Sequence, residues 1–258
     1  MGEPVLSTPR MDLSELRHGV QARHPWETAR AAAIVRILRA AGISPRHVLD
    51  FGCGDGYSGE HVCEAFAATE CWGVDVNLSD SQCRERKRGR FTYTNDAGVL
   101  GARQFDMGLL CDVIEHVEDD RGLLAELSNR LVPGGKLLIT VPAFQALFTR
   151  HDVALRHYRR YSLAQLELAV TDGGYRLQRS GYLFGSLLPA RALGKLLELM
   201  KPKPSDAEPF GIGGWTGSAA TTRVLEAVLN ADNALLLELS ARGVKLPGLS
   251  AWALCEKS

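Results

Sequence analysis

Residues 47–56 read HVLDFGCGDG and decide the fold. The first half of this stretch is apolar and predicts a short buried strand, whereas residues 52–56 form a glycine-rich turn. Residues 57–67 then predict a helix. Glycines between a strand and a helix let the backbone approach a ligand closely, and they leave amides free at the start of the helix. The stretch therefore predicts a ligand-binding loop at the carboxyl end of a buried strand.

The rest of the chain alternates short apolar strands with helices. Further strands are predicted at 71–76, 91–94, 105–112, 136–142, 174–183 and 249–257. Helices are predicted at 24–41, 119–135 (ended by Pro-Gly-Gly), 162–172, 186–200 and 218–242. The RERKRGR run at 84–90 is interpreted as a solvated loop or the end of a helix. This alternation requires crossover connections, so it predicts a doubly wound α/β fold around a parallel sheet.

Composition narrows the classes of function. The chain has 258 residues, of which 45% are hydrophobic, and 30 basic residues balance 30 acidic ones. This balance disfavours a nucleic-acid partner, which normally requires a basic excess. No apolar leader or membrane-spanning run is evident, so we expect a cytoplasmic protein. None of the six cysteines forms a C-x-x-C pair, and no metal site is predicted.

Two carboxylates near the glycine loop bear on the kind of ligand. A dinucleotide-binding loop of the G-x-G-x-x-G type needs a third glycine at position 57, where Tyr57 stands. Asp50 would repel a pyrophosphate but would suit a cationic amino-acid ligand. Asp75 follows 25 residues later, where a carboxylate can accept both ribose hydroxyls. A nucleotide-cofactor oxidoreductase is therefore the less favoured alternative.

These features together resemble the class I S-adenosylmethionine-dependent methyltransferases over about residues 24–180. The D-x-x-x-H-V pattern in LLCDVIEHVEDD (109–120) is similar to the branch that contains the ubiquinone-biosynthesis enzymes, and VPGGKLLITVP (132–142) matches the family's fifth strand. The resemblance implies a Rossmann-like seven-stranded sheet whose last strand is antiparallel. We expect a single domain, 1–258, with a cofactor-binding core (24–180), a helical cap insertion (184–217) and a final helix and strand (218–258).

The resemblance also implies how S-adenosylmethionine is held. The methionine moiety would lie on the loop of Asp50, Gly52, Cys53, Gly54 and Gly56. The ribose would lie at Asp75 and Val76, and the adenine at Asn95, Asp96 and Ala97. Cys111, Asp112, Val113 and His116 would line the cofactor at the end of the fourth strand. For His116 a purely structural role has equal weight, and the two cysteines are interpreted as small packing residues rather than nucleophiles.

The acceptor side is predicted in VPAFQALFTRHDVALRHYRRYS, residues 141–162. This segment resembles a bacterial subgroup with an H-D…H-Y-R-R-Y pattern after the fifth strand. The substrate candidates are arginines that could clamp a carboxylate or phosphate: Arg150, Arg156, Arg159 and Arg160. The catalytic candidates are side chains that could take a proton: His151, His157 and Tyr161. The alternative is a solvated basic loop held by local ion pairs.

Residues 182–200 are the most apolar stretch, and a cap helix or one side of a homodimer is favoured there over a membrane-surface helix. The predicted activity is methyl transfer from S-adenosylmethionine to a small molecule, lipid precursor or peptide that carries an anionic group, with oxygen favoured as the acceptor atom. A non-catalytic scaffold that binds the cofactor is the second alternative. The oligomeric state, monomer or homodimer, stays open.

Overall fold

A seven-stranded sheet with strand order β3-β2-β1-β4-β5-β7-β6 forms the centre of the molecule. The computed structural model describes residues 23–87, 89–200 and 215–258. The strands are β1 His47–Phe51, β2 Glu70–Val74, β3 Phe91–Thr94, β4 Phe105–Cys111, β5 Leu131–Pro142, β6 Tyr175–Leu183 and β7 Ser250–Lys257. The helices are α1 Pro25–Ala40, α2 Tyr57–Ala65, α3 Asp80–Arg86, α4 Asp120–Ser128, α5 Arg150–Ala154, α6 Leu163–Asp172, α7 Leu188–Met200 and α8 Ala219–Ala241.

Strands β1 to β5 pair in parallel, whereas β7 runs antiparallel to both of its neighbours, β5 and β6. The predicted doubly wound α/β fold with an antiparallel last strand is therefore confirmed. The carboxyl ends of the parallel strands lie at one edge of the sheet. In doubly wound folds ligands bind at this edge, where the strand order reverses. Here the reversal lies between β1 and β4.

The central strands are apolar on both faces because both faces are covered. In β4, Leu109 and Leu110 are fully buried but belong to two different hydrophobic clusters. In β5, Leu138 and Ile139 are likewise buried and belong to the two different clusters. Side chains alternate across a strand, so each cluster fills one face of the sheet. The packing of these buried strands fixes the position of their carboxyl ends, which is where the candidate site lies.

The predicted helix over 119–135 is wrong in its second half. Helix α4 ends at Ser128, and Pro133-Gly134-Gly135 lies inside β5 rather than after a helix. The Phe105 N–H donates to the carbonyl of Arg130 at 2.9 Å, which brings the chain into the sheet at once. The register shifts between Phe105 and Met107, and such an irregularity tolerates a proline within a strand.

Local signals explain most helix ends. His24 caps α1 with Pro25 in its first turn, and Gly42 follows the helix with a φ of 70°. Helix α3 has a capping box between Ser79 and Gln82, so the predicted helix end in the 84–90 run is confirmed for residues 84–86. Residues 201–214 of the predicted cap (184–217) lie outside the described residues, as do residues 1–22. No helix in the described ranges is long and apolar enough to cross a membrane.

Candidate functional site

The glycine loop leaves β1 and lies against the end of β2. Gly52, Gly54 and Gly56 all have positive φ, at 70°, 54° and 83°, a region that side chains other than glycine rarely adopt. The amide of Gly52 donates to the carbonyl of Val74 at 2.7 Å. A Cβ on Gly52 would lie 2.4 Å from Val113, whereas a Cβ on Gly54 would meet no atom within 4 Å. The side of the loop at Gly52 is thus packed against Val113, whereas the space next to Gly54 is open.

Two carboxylates flank this loop. Asp50 is buried, and burial raises the pKa of its carboxyl to about 7 although the Gly59 N–H donates to it at 3.0 Å. Asp75 follows β2, and its Oδ2 accepts from the amide of Gly54 at 2.9 Å. Its Oδ1 accepts from the backbone and the side chain of Asn77, both at 2.9 Å. The loop and the end of β2 are therefore joined through Asp75.

The third strand ends in a polar turn beside Asp75. The Asp96 side chain accepts from the Gly98 amide at 2.8 Å and caps a short 3₁₀ helix, Ala97–Leu100. The Asn95 amide donates to the carbonyl of Leu78 at 3.0 Å. Val76 is 39% exposed at the same edge of the sheet. The predicted adenine and ribose residues are thus neighbours in the structure.

A tyrosine that the sequence did not indicate lies under the loop. The Tyr93 hydroxyl donates to Glu60 at 2.5 Å. A Cβ on Gly56 would lie 2.4 Å from that hydroxyl, and a Cβ on Gly73 would lie 2.5 Å from the ring. Both positions therefore require glycine while Tyr93 supports the loop.

Helix α1 and Arg23, which precedes it, contact the carboxyl edge of the sheet. Arg30 forms an ion pair with Asp112, which follows β4 with a φ of 56°, and its guanidinium lies 4.4 Å from the centroid of the Trp26 ring. Arg23 forms an ion pair with Asp55 of the glycine loop at 2.7 Å. Sequence reasoning missed both arginines, because nothing in a helical pattern shows which loop the helix will contact.

The segment after β5 is organised around one buried carboxylate. Asp152 is fully buried and accepts hydrogen bonds from His157 Nδ1 at 3.0 Å, Arg160 Nε at 2.7 Å and Arg191 at 2.8 Å. Burial opposes its ionisation, but the hydrogen bonds from His157 and Arg160 outweigh burial and hold the pKa of this carboxyl well below its usual range. Arg191 comes from α7, so Asp152 also ties this helix to the segment.

Comparison with known proteins decides the family. A family model described as a methyltransferase domain matches residues 25–202, which is more than half of the chain. The chain belongs to the class I S-adenosylmethionine-dependent methyltransferases. The sequence resemblance to this family is thereby confirmed, and S-adenosylmethionine is the cofactor of the family.

Individual relatives of this methyltransferase are distant. Trans-aconitate 2-methyltransferase of Acidovorax ebreus is 29% identical over 120 residues, which cover 45% of this chain and 46% of the relative. The match thus spans a little under half of the length of that relative. The ubiquinone/menaquinone biosynthesis C-methyltransferase of Syntrophotalea carbinolica is 28% identical over 209 residues, which cover 75% of this chain and 80% of the relative. The crystal structure of an S-adenosylmethionine-dependent methyltransferase from Archaeoglobus fulgidus matches with a TM-score of 0.51 and 17% identity, over 90% of this chain and 97% of that one.

The predicted cofactor residues of the methyltransferase lie together at the carboxyl edge. Cys53 is buried and Cys111 is half-buried, and burial raises the pKa of both thiols, which suits packing residues better than nucleophiles. His116 lies beside His157, with ring centroids 4.5 Å apart. Burial, and next the neighbouring imidazole of His157, lower the pKa of His116 to about 4. The individual roles of these residues stay predictions.

The predicted acceptor residues divide into two groups. Arg160 is buried against Asp152, and the Tyr161 hydroxyl donates to Asp120 at 2.6 Å, so both make internal contacts. Burial and the Asp120 carboxylate raise the pKa of Tyr161 well above its usual range. Arg159 also pairs with Asp120, at 3.0 Å.

The second group is more accessible. Arg150 and Arg156 lie toward solvent, and His151 is half-buried. Arg150 makes an ion pair with Glu198 of α7 at 3.6 Å. Burial and the charge of Arg191 lower the pKa of His151. Arg150 and Arg156 are therefore the arginines whose positions best fit a predicted anion clamp.

Helix α7 contacts the molecule through its polar residues. Arg191 donates to Asp152, the Lys195 amine donates to the carbonyl of Phe148 at 2.6 Å, and Glu198 accepts from the Arg150 amide at 3.1 Å. The apolar side chains of α7 are 49–74% exposed: Leu193, Leu196, Leu197, Leu199 and Met200. The described part of the predicted cap thus lies over the acceptor segment at the carboxyl edge of the sheet.

Proposed function

We propose that this chain transfers the methyl group of S-adenosylmethionine to a carboxylate oxygen of a small anionic acceptor. One observation carries the proposal: the open glycine loop lies between two buried carboxylates, Asp50 and Asp75, at the edge where the strand order reverses. This arrangement suits a cationic amino acid joined to a ribose. The bound cofactor supplies an electrophilic methyl group on a sulfonium, so the protein has to bind and orient the two reactants.

On the cofactor side, the open space above Gly54 is the observation that fits the group. Asp75 would accept the ribose hydroxyls, and the amides of the loop would face the amino-acid end. Asp50 would balance the positive charge of that end. Arg30, next to Asp112, would supply a cation for the cofactor's own carboxylate. The turn at 95–97 would contact the adenine.

On the acceptor side, Arg150 and Arg156 would bind the anionic group. The relative named trans-aconitate 2-methyltransferase supports such an acceptor, because trans-aconitate is a polycarboxylate. A carboxylate oxygen is already a nucleophile and needs no general base. A hydroxyl or amine acceptor would need one, and a well-placed base typically contributes about 10²–10⁴-fold to the rate.

Calorimetric titration with S-adenosylhomocysteine and with NADH tests the cofactor class. We expect binding of the first and none of the second. Binding of NADH alone would replace the methyltransferase with the nucleotide-cofactor oxidoreductase. Incubation of host-cell extract with methyl-labelled cofactor, followed by mass spectrometry, then identifies the acceptor. Labelled nucleic acid as the sole product would refute a small anionic acceptor, and no labelled product at all would favour the scaffold.

Single substitutions test the acceptor chemistry. Arg150→Ser or Arg156→Ser should raise the acceptor KM by roughly 10-fold to 100-fold, the effect of losing one charged hydrogen bond. Arg242→Ser, an exposed arginine paired with Glu238 on α8, is the matched control and should leave KM unchanged. His151→Ala should keep kcat within about tenfold, and a loss of ~10²–10⁴-fold would point to a general base and a hydroxyl or amine acceptor.

A further inference from the structure

Three side chains at the exit of β4 converge around one point. One ligand atom from each of Glu115, His116 and His157 lies within 4.8 Å of the others. Glu115 is completely buried, and neither of its carboxylate oxygens has a hydrogen-bond partner. Nδ1 of His116 is also buried without a partner. Unpaired buried polar atoms are costly, so three of them in one cluster call for a ligand.

Each of the two histidines has a ring nitrogen that can serve as a ligand. In the neutral His157 ring, Nδ1–H donates to Asp152 at 3.0 Å, so Nε2 is left as an acceptor. Nδ1 of His116 has no hydrogen-bond partner, and it offers a lone pair when the ring is protonated on Nε2. In metal sites a histidine ligand commonly donates its second ring N–H to a carboxylate or a backbone carbonyl in this way.

We propose that Glu115, His116 and His157 bind one divalent transition-metal ion. The set comprises two imidazole nitrogens and one carboxylate. Imidazole ligands suit Zn²⁺, Co²⁺ and Fe²⁺, whereas Mg²⁺ and Ca²⁺ take oxygen ligands. The spacing of the cysteines predicted no metal site, and this cluster contains no cysteine.

The cluster needs little movement to hold an ion. Ligand atoms about 2.1 Å from a tetrahedral ion lie roughly 3.4 Å apart, so the side chains have to close by at most about 1.4 Å. Three protein ligands leave at least one coordination position open, as in catalytic rather than structural sites. A water molecule or an acceptor oxygen would fill that position.

Ion binding would also connect two parts of the chain. Glu115 and His116 belong to the 3₁₀ helix after β4, and His157 belongs to the segment after β5. The amide of Tyr158 donates to the carbonyl of Glu115 at 2.7 Å, so the two segments are already in contact. The ion would fix the acceptor segment against the end of β4. This inference does not depend on the proposed function, since ion binding needs neither cofactor nor acceptor.

Titration of chelator-treated full-length protein with Co²⁺ tests the site. We expect one Co²⁺ per chain, visible d–d absorption without a thiolate charge-transfer band, and displacement of Co²⁺ by Zn²⁺ but not by Mg²⁺. Native mass spectrometry gives the stoichiometry independently. If the wild-type protein binds no Co²⁺ and no Zn²⁺ at stoichiometric amounts, the proposal is wrong, and buried water or a proton satisfies the cluster instead.

Substitutions test whether the ion binds to this cluster or to other side chains. Glu115→Gln and His157→Gln should each weaken Co²⁺ binding at least about 100-fold, more than the loss of an outer hydrogen bond to a metal ligand costs. Glu118→Gln, an exposed carboxylate three residues from Glu115, and His151→Ala, a histidine of the acceptor segment, should bind Co²⁺ as the wild type does. Circular dichroism checks that each variant is folded. Unchanged Co²⁺ binding by folded Glu115→Gln and His157→Gln would assign the ion to another site and overturn the proposal.

Discussion

Replacing Asp75 with alanine tests the cofactor side most directly. In the structure this carboxylate accepts three hydrogen bonds, from the amide of Gly54 and from the backbone and side chain of Asn77. A carboxylate offers about four acceptor positions. A ribose could therefore use the one position that is left and exchange with the side-chain amide of Asn77 for a second.

The expected loss of affinity follows from this count. One new charged hydrogen bond contributes about 1.5–3 kcal/mol, whereas the exchanged bond adds little because Asp75 loses one bond when it gains the other. Every ~1.4 kcal/mol is tenfold in affinity, so Asp75→Ala should weaken S-adenosylhomocysteine binding by about 10–10²-fold in calorimetric titration. Asp75→Asn should fall between the wild type and Asp75→Ala, because it keeps one acceptor oxygen without the charge.

A matched aspartate controls for lost stability. Asp106 also accepts three contacts from backbone amides, those of Arg46 and His47, but at the amino edge of the sheet. Asp106→Ala should therefore lower the melting temperature to a similar degree and leave the Kd within about twofold, as expected for a change of only a few tenths of a kcal/mol. If folded Asp75→Ala binds within threefold of the wild type, or if Asp106→Ala loses as much affinity, the reasoning about Asp75 is refuted.

Three further predictions follow from the same edge of the sheet. The raised pKa of Asp50, about 7, means that the folded state holds a proton that the unfolded state releases, so wild-type stability falls by roughly 4 kcal/mol as pH rises from about 4 to 7. Asp50→Asn should flatten this dependence in urea unfolding curves, and a slope that stays unchanged would contradict the assignment. Gly54→Ala and Gly42→Ala should each cost about 1 kcal/mol at positive φ, but only Gly54→Ala should weaken S-adenosylhomocysteine binding in titration; equal affinities would mean that the space above Gly54 is not used. Asp152→Asn should lower the melting temperature by roughly 6–20 °C because it breaks a buried ion-pair network, whereas Glu198→Gln, which weakens only a partly exposed pair, should change it by a few degrees at most; similar melting temperatures would show that the network contributes little.

The sequence predicted the sheet well because its signals are local. The strand at 91–94 is found where the β-forming residues FTYT predict it, and the glycine loop lies where strand and helix patterns meet. The Pro-Gly-Gly at 133–135 misled the prediction, since these residues usually end helices but here lie in a strand with shifted register. Residues 133–135 lie in a strand because β5 pairs with β4, and a local sequence pattern does not show which strands will pair.

The site was predicted only where one element supplies its residues. The loop is contiguous with the acid at the end of β1, and the acid at the end of β2 follows 25 residues after it, so local patterns indicate both. Arg30, Tyr93 and Arg191 were missed because each reaches its partner across a large distance along the chain. The interpretation of Arg160 also changes. The sequence predicted that it would clamp an anionic substrate group, whereas the structure places it against the buried carboxylate of Asp152.

The position of β7 has a consequence for how the chain matures. This strand is the last in the sequence, yet it lies between β5 and β6 and supplies the hydrogen-bond partners of both. During synthesis β6 has no neighbour in the sheet until β7 has emerged from the ribosome, and the edge of β5 is also left bare. Unpaired edges of this kind promote association between chains. The nascent protein is therefore most exposed to aggregation after β6 and before β7 has emerged, which is when a chaperone would have the largest effect on yield.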